Sequence, residues 1–160
     1  MALQLRIAQA MDAERLVEVI NPAFRKAEGY IIDGDRVDLE LIHSLLAKGE
    51  FLIADDEGVV AGCVYMERRG ERAYLGLLSV SPERQKAGLG SMLMREAEQH
   101  CSNAGCFFMD LRTINLRSEN LAFYQRRGYA ETGTEPFPSE VETKLPCHFV
   151  NMSKQLSKKS

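Results

Sequence analysis

Apolar and polar positions alternate through Leu3-Gln4-Leu5-Arg6-Ile7, which predicts a first strand with one buried face. Leu16, Val17, Val19, Ile20, Ala23 and Phe24 then recur at helical spacing, with Asp12 and Glu14 at the N-terminal end, where the helix dipole favours them. A stretch from Gly29 to Asp35 precedes a second helix carrying Leu39, Leu41, Ile42, Leu45 and Leu46, which Gly49 ends. Phe51–Ala54 and Val59–Met66 read as strands joined by the acidic turn Asp55-Asp56-Glu57-Gly58. Arg69-Gly70-Glu71 turns the chain into an apolar run from Tyr74 to Pro82. A long helix from Met92 to about Ala104 follows, then a short strand, Cys106–Leu111. Leu121, Ala122 and Phe123 mark a last helix, capped by Gly128. Tyr129–Thr132 and His148–Met152 close the pattern on either side of a loop through Pro136, Pro138 and Pro146. Strand, two helices, three strands, helix, strand, helix and two strands pack most naturally as a mixed α/β (α+β) sheet with helices on its faces.

At 160 residues, 45% hydrophobic and 27% charged, the chain has the size and composition of one globular domain, expected to span 1–160. A net charge of −3 provides no general attraction to nucleic acid. The one basic cluster, Lys154 to Lys159, reads as a solvated end. No apolar run approaches a membrane span, and the first residues do not resemble a signal peptide, so a cytoplasmic location is expected. Cys63, Cys101, Cys106 and Cys147 form no C-x-x-C pair, and His43, His100 and His148 are scattered. Reduced, mostly buried thiols and no metal are the expectation.

The segment richest in chemistry is Gln85-Lys86-Ala87-Gly88-Leu89-Gly90-Ser91, between the Tyr74–Pro82 run and the long helix. A strand that turns through glycines into a helix start presents unpaired backbone N–H groups at the positive end of a dipole, a site suited to phosphate. Arg84 and Lys86 add mobile positive charge. The loop is neither of two familiar phosphate loops: Leu93 stands where G-x-G-x-x-G needs its third glycine, and no G-x-x-x-x-G-K-[ST] string occurs.

The phrase from Val80 to Ser91, taken with Phe123-Tyr124-Gln125-Arg126-Arg127-Gly128-Tyr129 downstream, resembles the GNAT superfamily of acetyl-CoA-dependent N-acetyltransferases over nearly the whole chain. The resemblance implies a mainly antiparallel sheet of six to seven strands. The fourth and fifth strands splay apart and the coenzyme's pantetheine arm lies between them. It implies that Gln85 to Ser91 cradle the pyrophosphate and that backbone N–H groups at Leu78, Ser79 and Val80 polarise the thioester carbonyl. Asn115, Arg117 and Arg127 supply further coenzyme contacts. Tyr124 is then the candidate general acid for the departing thiolate. Two departures stand out. Arg117 replaces the Asn usually seven residues before the Tyr, with Asn115 and Asn120 nearby. Leu75, Gly76, Leu77 and Leu78 leave no carboxylate on the fourth strand to act as base.

The acceptor's proton is then expected to leave through water, or to Glu67, Asp110 or His148. As in relatives, the acceptor side falls to the N-terminal helices and the late loop. Phe24, Arg25, Tyr30, Asp33 and Arg36 face Glu135, Phe137 and His148 there, a mixed set that suits a small polar amine, an amino acid or a polyamine. The expected activity is direct acetyl transfer from acetyl-CoA to a primary amine by a monomer or homodimer that engages neither nucleic acid nor membrane. Acetylation of a protein N-terminus or lysine, and a non-catalytic acyl-CoA-binding module, are the alternatives.

Overall fold

The computed structural model describes residues 3–84 and 88–156. Its elements follow the order read from the hydrophobic pattern: β1 (Leu3–Ile7), α1 (Ala13–Glu28), α2 (Leu39–Lys48), β2 (Glu50–Asp56), β3 (Val59–Arg69), β4 (Arg72–Val80), α3 (Leu89–Asn103), β5 (Phe108–Ile114), α4 (Ser118–Arg126), β6 (Ala130–Pro136) and β7 (His148–Gln155). The strands form one seven-stranded sheet in the order β1-β2-β3-β4-β5-β7-β6, antiparallel except where β4 meets β5. Lys154, read as part of a solvated tail, instead belongs to β7 and bonds Glu98 of α3 at 2.8 Å.

Alternation along the strands divides the interior into two cores. Leu52, Ala54, Val64, Met66, Ala73, Leu75, Met109 and Leu111 face Leu93, Met94, Ala97 and Cys101 of α3, with Tyr124 and Tyr129. On the other face, Phe51, Ile53, Cys63 and Tyr65 meet Leu16, Val19 and Ile20 of α1 and Ile42 of α2. Asn21, buried in α1, accepts hydrogen bonds from the backbone N–H groups of Arg36 and Val37 at 2.9 Å and donates to the Val37 carbonyl. The segment between α1 and α2 is thereby fixed over its own face of the sheet.

β4 and β5 pair over three residues alone, Arg72 with Phe108, Ala73 with Met109 and Tyr74 with Asp110. Beyond Tyr74 each keeps only its outer neighbour, β4 with β3 as far as Val80 and β5 with β7 as far as Ile114. The ladder between β3 and β4 slips between Cys63 and Tyr65, where two steps on β3 face three on β4, from Ser79 to Gly76. This is a β-bulge, and Leu77 within it takes a left-handed φ of 54°.

At the far edge, Arg6 of β1 donates to both carboxylate oxygens of buried Asp12, at 2.9 and 3.0 Å, and to Asp55 of β2 at 3.0 Å. The Arg6 guanidinium holds the Asp12 carboxyl below its ordinary range. A carboxyl whose pKa is depressed on folding adds stability above its unfolded value, and that stability is lost as pH falls through the folded value. Asp12→Asn is therefore expected to destabilise the fold by about 2 kcal/mol at pH 7. In urea unfolding the difference from wild type should shrink below about pH 4; a difference that does not change with pH would contradict the ion pair as its source.

Candidate functional site

The divergence of β4 from β5 opens a cavity of about 390 Å³ that passes between the two cores. Leu75, Gly76, Leu77 and Leu78 of β4 line one wall and Arg112, Thr113 and Ile114 of β5 the other. Tyr124 and Asn120 of α4 reach it from the α3–α4 side, Phe24 and Glu28 of α1 from the opposite side. Phe137, Pro138 and Val141 of the β6–β7 loop close the acceptor end against Ile32, Asp35 and Arg36. Lys144 ties these two loops together, its ammonium bonding the Gly29 carbonyl and Asp33, each at 2.8 Å. A second cavity of about 710 Å³ shares Arg36, Tyr74, Gly76, Leu77 and Arg112 with the first, and Glu67, Asp110 and Glu135 also border it.

The bulge orients the backbone. The Leu77 carbonyl accepts from the Ser79 hydroxyl of its own strand at 3.0 Å and from the Cys63 thiol of β3 at 3.9 Å. Because the peptide is planar and trans, the Leu78 N–H points away from these two groups. Val80 packs near Gly90, and Ser79 is buried with its hydroxyl turned inward, so of the three strand residues proposed from sequence only Leu78 lines the cavity.

Gly88 caps the start of α3 with a left-handed φ of 74°, and among the described residues beyond its chain neighbours no atom lies within 4 Å of a Cβ placed there. Among the described residues no side chain caps this end, and its first turn holds no acidic residue, an arrangement suited to an anion. Gln85, Lys86 and Ala87 lie outside the described residues. Arg84 is not mobile: it is ion-paired with Asp56. Arg127 donates to the Ser91 hydroxyl and, at 2.9 Å, to the Phe123 carbonyl, and its guanidinium lies 3.7 Å from the centre of the Phe123 ring. It has no carboxylate partner among the described residues, and burial lowers its pKa. A cation beside the positive end of a helix is unfavourable until an anion joins them.

From this helix start, Phe123 leads directly to the cavity. Gly90 would contact the Phe123 ring at 3.6 Å, and the Tyr124 ring packs edge-on between Phe123 and Tyr129, with centroid distances of 5.4 and 6.0 Å. Tyr129 is held by Glu98, which accepts its hydroxyl at 2.8 Å. Burial pushes the Tyr124 phenol up to about 12, so it is neutral at every pH at which a protein of this kind works. That value revises its chemistry. Full transfer of a proton from such a phenol to a thiolate of pKa near 8.5 is uphill by about 5 kcal/mol; the group is suited to donating a hydrogen bond.

The other candidates divide sharply. Arg117 lines the cavity but is bound to Glu28 at 3.0 Å and to Glu119 at 3.1 Å. Asn115 does not line it; its side chain accepts the His148 N–H at 2.8 Å, joining β5 to β7. Asn120 is the asparagine that does, while donating to Thr113 at 3.3 Å. Phe24, Arg36 and Phe137 line the cavity together. Arg25 is turned to Asp35, Tyr30 reaches the Leu116 carbonyl at 3.4 Å, and His148 is an exposed strand start; none of the three borders either cavity. Glu67 and Asp110 border the second cavity with pKa values held down, Glu67 chiefly by the Tyr65 hydroxyl at 2.7 Å and then Arg69, Asp110 by the Arg72 guanidinium. Glu28, Tyr74 and Arg112 were not anticipated. Glu28 follows Phe24 by one helical turn, a spacing visible in the sequence; Tyr74 and Arg112 gain meaning only once β4 and β5 are known to be neighbours.

Comparison with known proteins agrees with this geometry. The acetyltransferase (GNAT) family profile matches residues 13–129. The chain belongs to the GNAT acetyltransferase family. It is 28% identical over 118 residues, 73% of each chain, to an uncharacterized N-acetyltransferase of Chlorobaculum tepidum. It is also 28% identical over 92 residues to an uncharacterized protein of Bacillus subtilis; the match takes in 58% of this chain and only 55% of that one. The PaiA N-acetyltransferase of Thermoplasma acidophilum, solved with coenzyme A, shares the GNAT fold at a TM-score of 0.71 with 20% identity, over 97% of this chain and 99% of that one.

Gly88→Asp tests the anion site at the start of α3. A Cβ there meets no atom of the described residues beyond its chain neighbours, and the left-handed backbone costs about 1 kcal/mol. Its charge would confront any phosphate, so acetyl-CoA affinity by calorimetry is expected to fall at least about tenfold. Unchanged affinity with a native circular dichroism spectrum would remove this helix end from the coenzyme site.

Proposed function

We propose that this GNAT protein transfers the acetyl group of acetyl-CoA to the primary amine of a small molecule by direct attack. The observation that carries the reading is that Leu78, in the bulged stretch of β4, lines the same cavity as Tyr124. The pantetheine arm would thread between β4 and β5 while the pyrophosphate rests on Gly88 to Ser91. The neutral amine attacks the thioester carbon, the C–N bond forms, and the carbonyl oxygen takes the charge that the Leu78 N–H stabilises. As the C–S bond breaks, Tyr124 donates a hydrogen bond to the sulfur. The proton lost by nitrogen passes through water to the thiolate sulfur, and Tyr124 keeps its own proton throughout.

Direct attack is supported by the thiols. Cys63, Cys101 and Cys106 are buried with raised pKa values, Cys101 to about 12, and no cysteine borders either cavity. None is suited to carry an acyl group.

Tyr124→Phe keeps the ring packing and removes a hydroxyl that makes no hydrogen bond among the described residues, so thermal stability should hardly change. A thiol-release assay should show kcat falling by about a hundredfold or more. Retention of half the wild-type kcat would make Tyr124 a packing residue alone.

The depressed pKa values of Glu67 and Asp110, each already bound to an arginine, make them poor bases. Glu67→Gln and Asp110→Asn should each lower kcat/KM by less than about a hundredfold, and the rate should keep rising with pH toward the amine's own pKa. A larger loss, with the alkaline limb reshaped, would identify the substituted carboxylate as the base.

A further inference from the structure

Two arginines stand at the waist between the cavities, and neither is neutralised there. Arg36 borders both cavities, its guanidinium 5.5 Å from the centre of the Phe24 ring, with no ion pair among the described residues. Its backbone is pinned by Asn21, so it is held over the site although its side chain is exposed. Arg112 also borders both cavities. It stacks 4.1 Å from the centre of Phe149, and its one carboxylate neighbour, Glu135, is 3.9 Å away, at the limit of an ion pair. A guanidinium laid on an aromatic face leaves its edge N–H groups directed outward, in the fork that matches a carboxylate.

Among the described residues, four of the five carboxylates that border the two cavities are already committed. Glu28 is bonded to Arg117, Glu67 to Arg69, Asp110 twice to Arg72, and Asp35 to Arg25. A polyamine entering the site would find Glu135, held only at 3.9 Å by Arg112, as the one carboxylate there without a close partner, and would meet two arginines. An amine bearing a carboxylate would meet the reverse, and would restore the charge balance of the waist.

We propose that the acceptor is a primary amine carrying a carboxylate, of the amino-acid class, with the carboxylate received by Arg36 and Arg112; this rests on the acetyl-transfer reading above. The arrangement has a catalytic consequence. Positive charge beside the acceptor disfavours its ammonium form and lowers its pKa, which raises the fraction of neutral nucleophile where no side chain is placed to act as base.

The test is thiol release from acetyl-CoA with a panel of free α-amino acids, their carboxamides and spermidine, compared at equal concentrations of neutral amine. The wild-type kcat/KM should favour the acids over the matched amides by at least about tenfold. Arg36→Ala and Arg112→Ala should each collapse that ratio toward one through KM, and Arg36→Lys, which keeps the charge and loses the fork, should fall between. Equal kcat/KM for acids and amides, or turnover confined to spermidine, overturns the carboxylate assignment and leaves acetyl transfer standing. No thiol release with any member of the panel overturns the acetyl-transfer reading itself, and this inference with it.

Discussion

Three parallel residue pairs, from Arg72–Phe108 to Tyr74–Asp110, are all that joins β4 to β5, and the site exists because the pairing stops there. Backbone N–H and C=O groups facing a gap in a sheet must find other partners. The outer neighbours β3 and β7 hold the two strands rigid to their ends, so the gap cannot close by bending either one. The slot is therefore as much a product of the sheet as its core is. The bulge at Leu77 lies at this slot: the Leu77 carbonyl accepts from the Ser79 hydroxyl and the Cys63 thiol, the Leu78 N–H is directed away from them, and Leu78 lines the cavity.

Charge is organised around the same slot. On the α3 side, among the described residues, a helix start with no side-chain cap lies beside Arg127, which has no close carboxylate partner. On the α1 side, Glu28, Glu67 and Asp110 are each bound by a neighbouring arginine, while Arg36 lies above Phe24 with no ion pair among the described residues. Both ends thus favour anions, and the apolar stretch between them, Leu75 to Leu78 with Tyr124, favours an uncharged reacting centre. Such a division suits acetyl transfer, whose charge develops only transiently at the carbonyl oxygen and the sulfur.

Much of this was legible in the residues, for physical reasons. Strands β1 to β4 and helices α1 to α3 follow from hydrophobic period, because each buries one face against a core. β5 begins two residues later than its apolar run suggests and ends three later. Cys106 and Phe107 are spent in the turn after α3, bonding the Cys101 and Glu71 carbonyls, while Arg112 and Thr113 belong to the ladder without looking apolar. β6 is exposed along its whole length, so its far end carries no hydrophobic signal at all. The bulge left no trace either, since the left-handed residue is a leucine, although Gly76 beside it has the reputation for such a role. Asn115 and Asn120 could not be separated without the start of α4, which sends one to His148 and the other to the cavity. Tyr124 was identifiable from its motif, but its chemistry was not, because the shift of its phenol depends on how deeply the ring is buried.

The central claim is that the backbone of the β4 bulge meets the thioester carbonyl while the start of α3 meets the pyrophosphate. Amide chemical shifts, followed by two-dimensional NMR during titration with coenzyme A and then with acetyl-CoA, separate the two contacts. The amides of Gly88 to Ser91 should move equally with both ligands, and the Leu78 amide should move further downfield with acetyl-CoA than with coenzyme A. A Leu78 amide that responds identically to both, or α3 amides that respond to neither, would contradict the account.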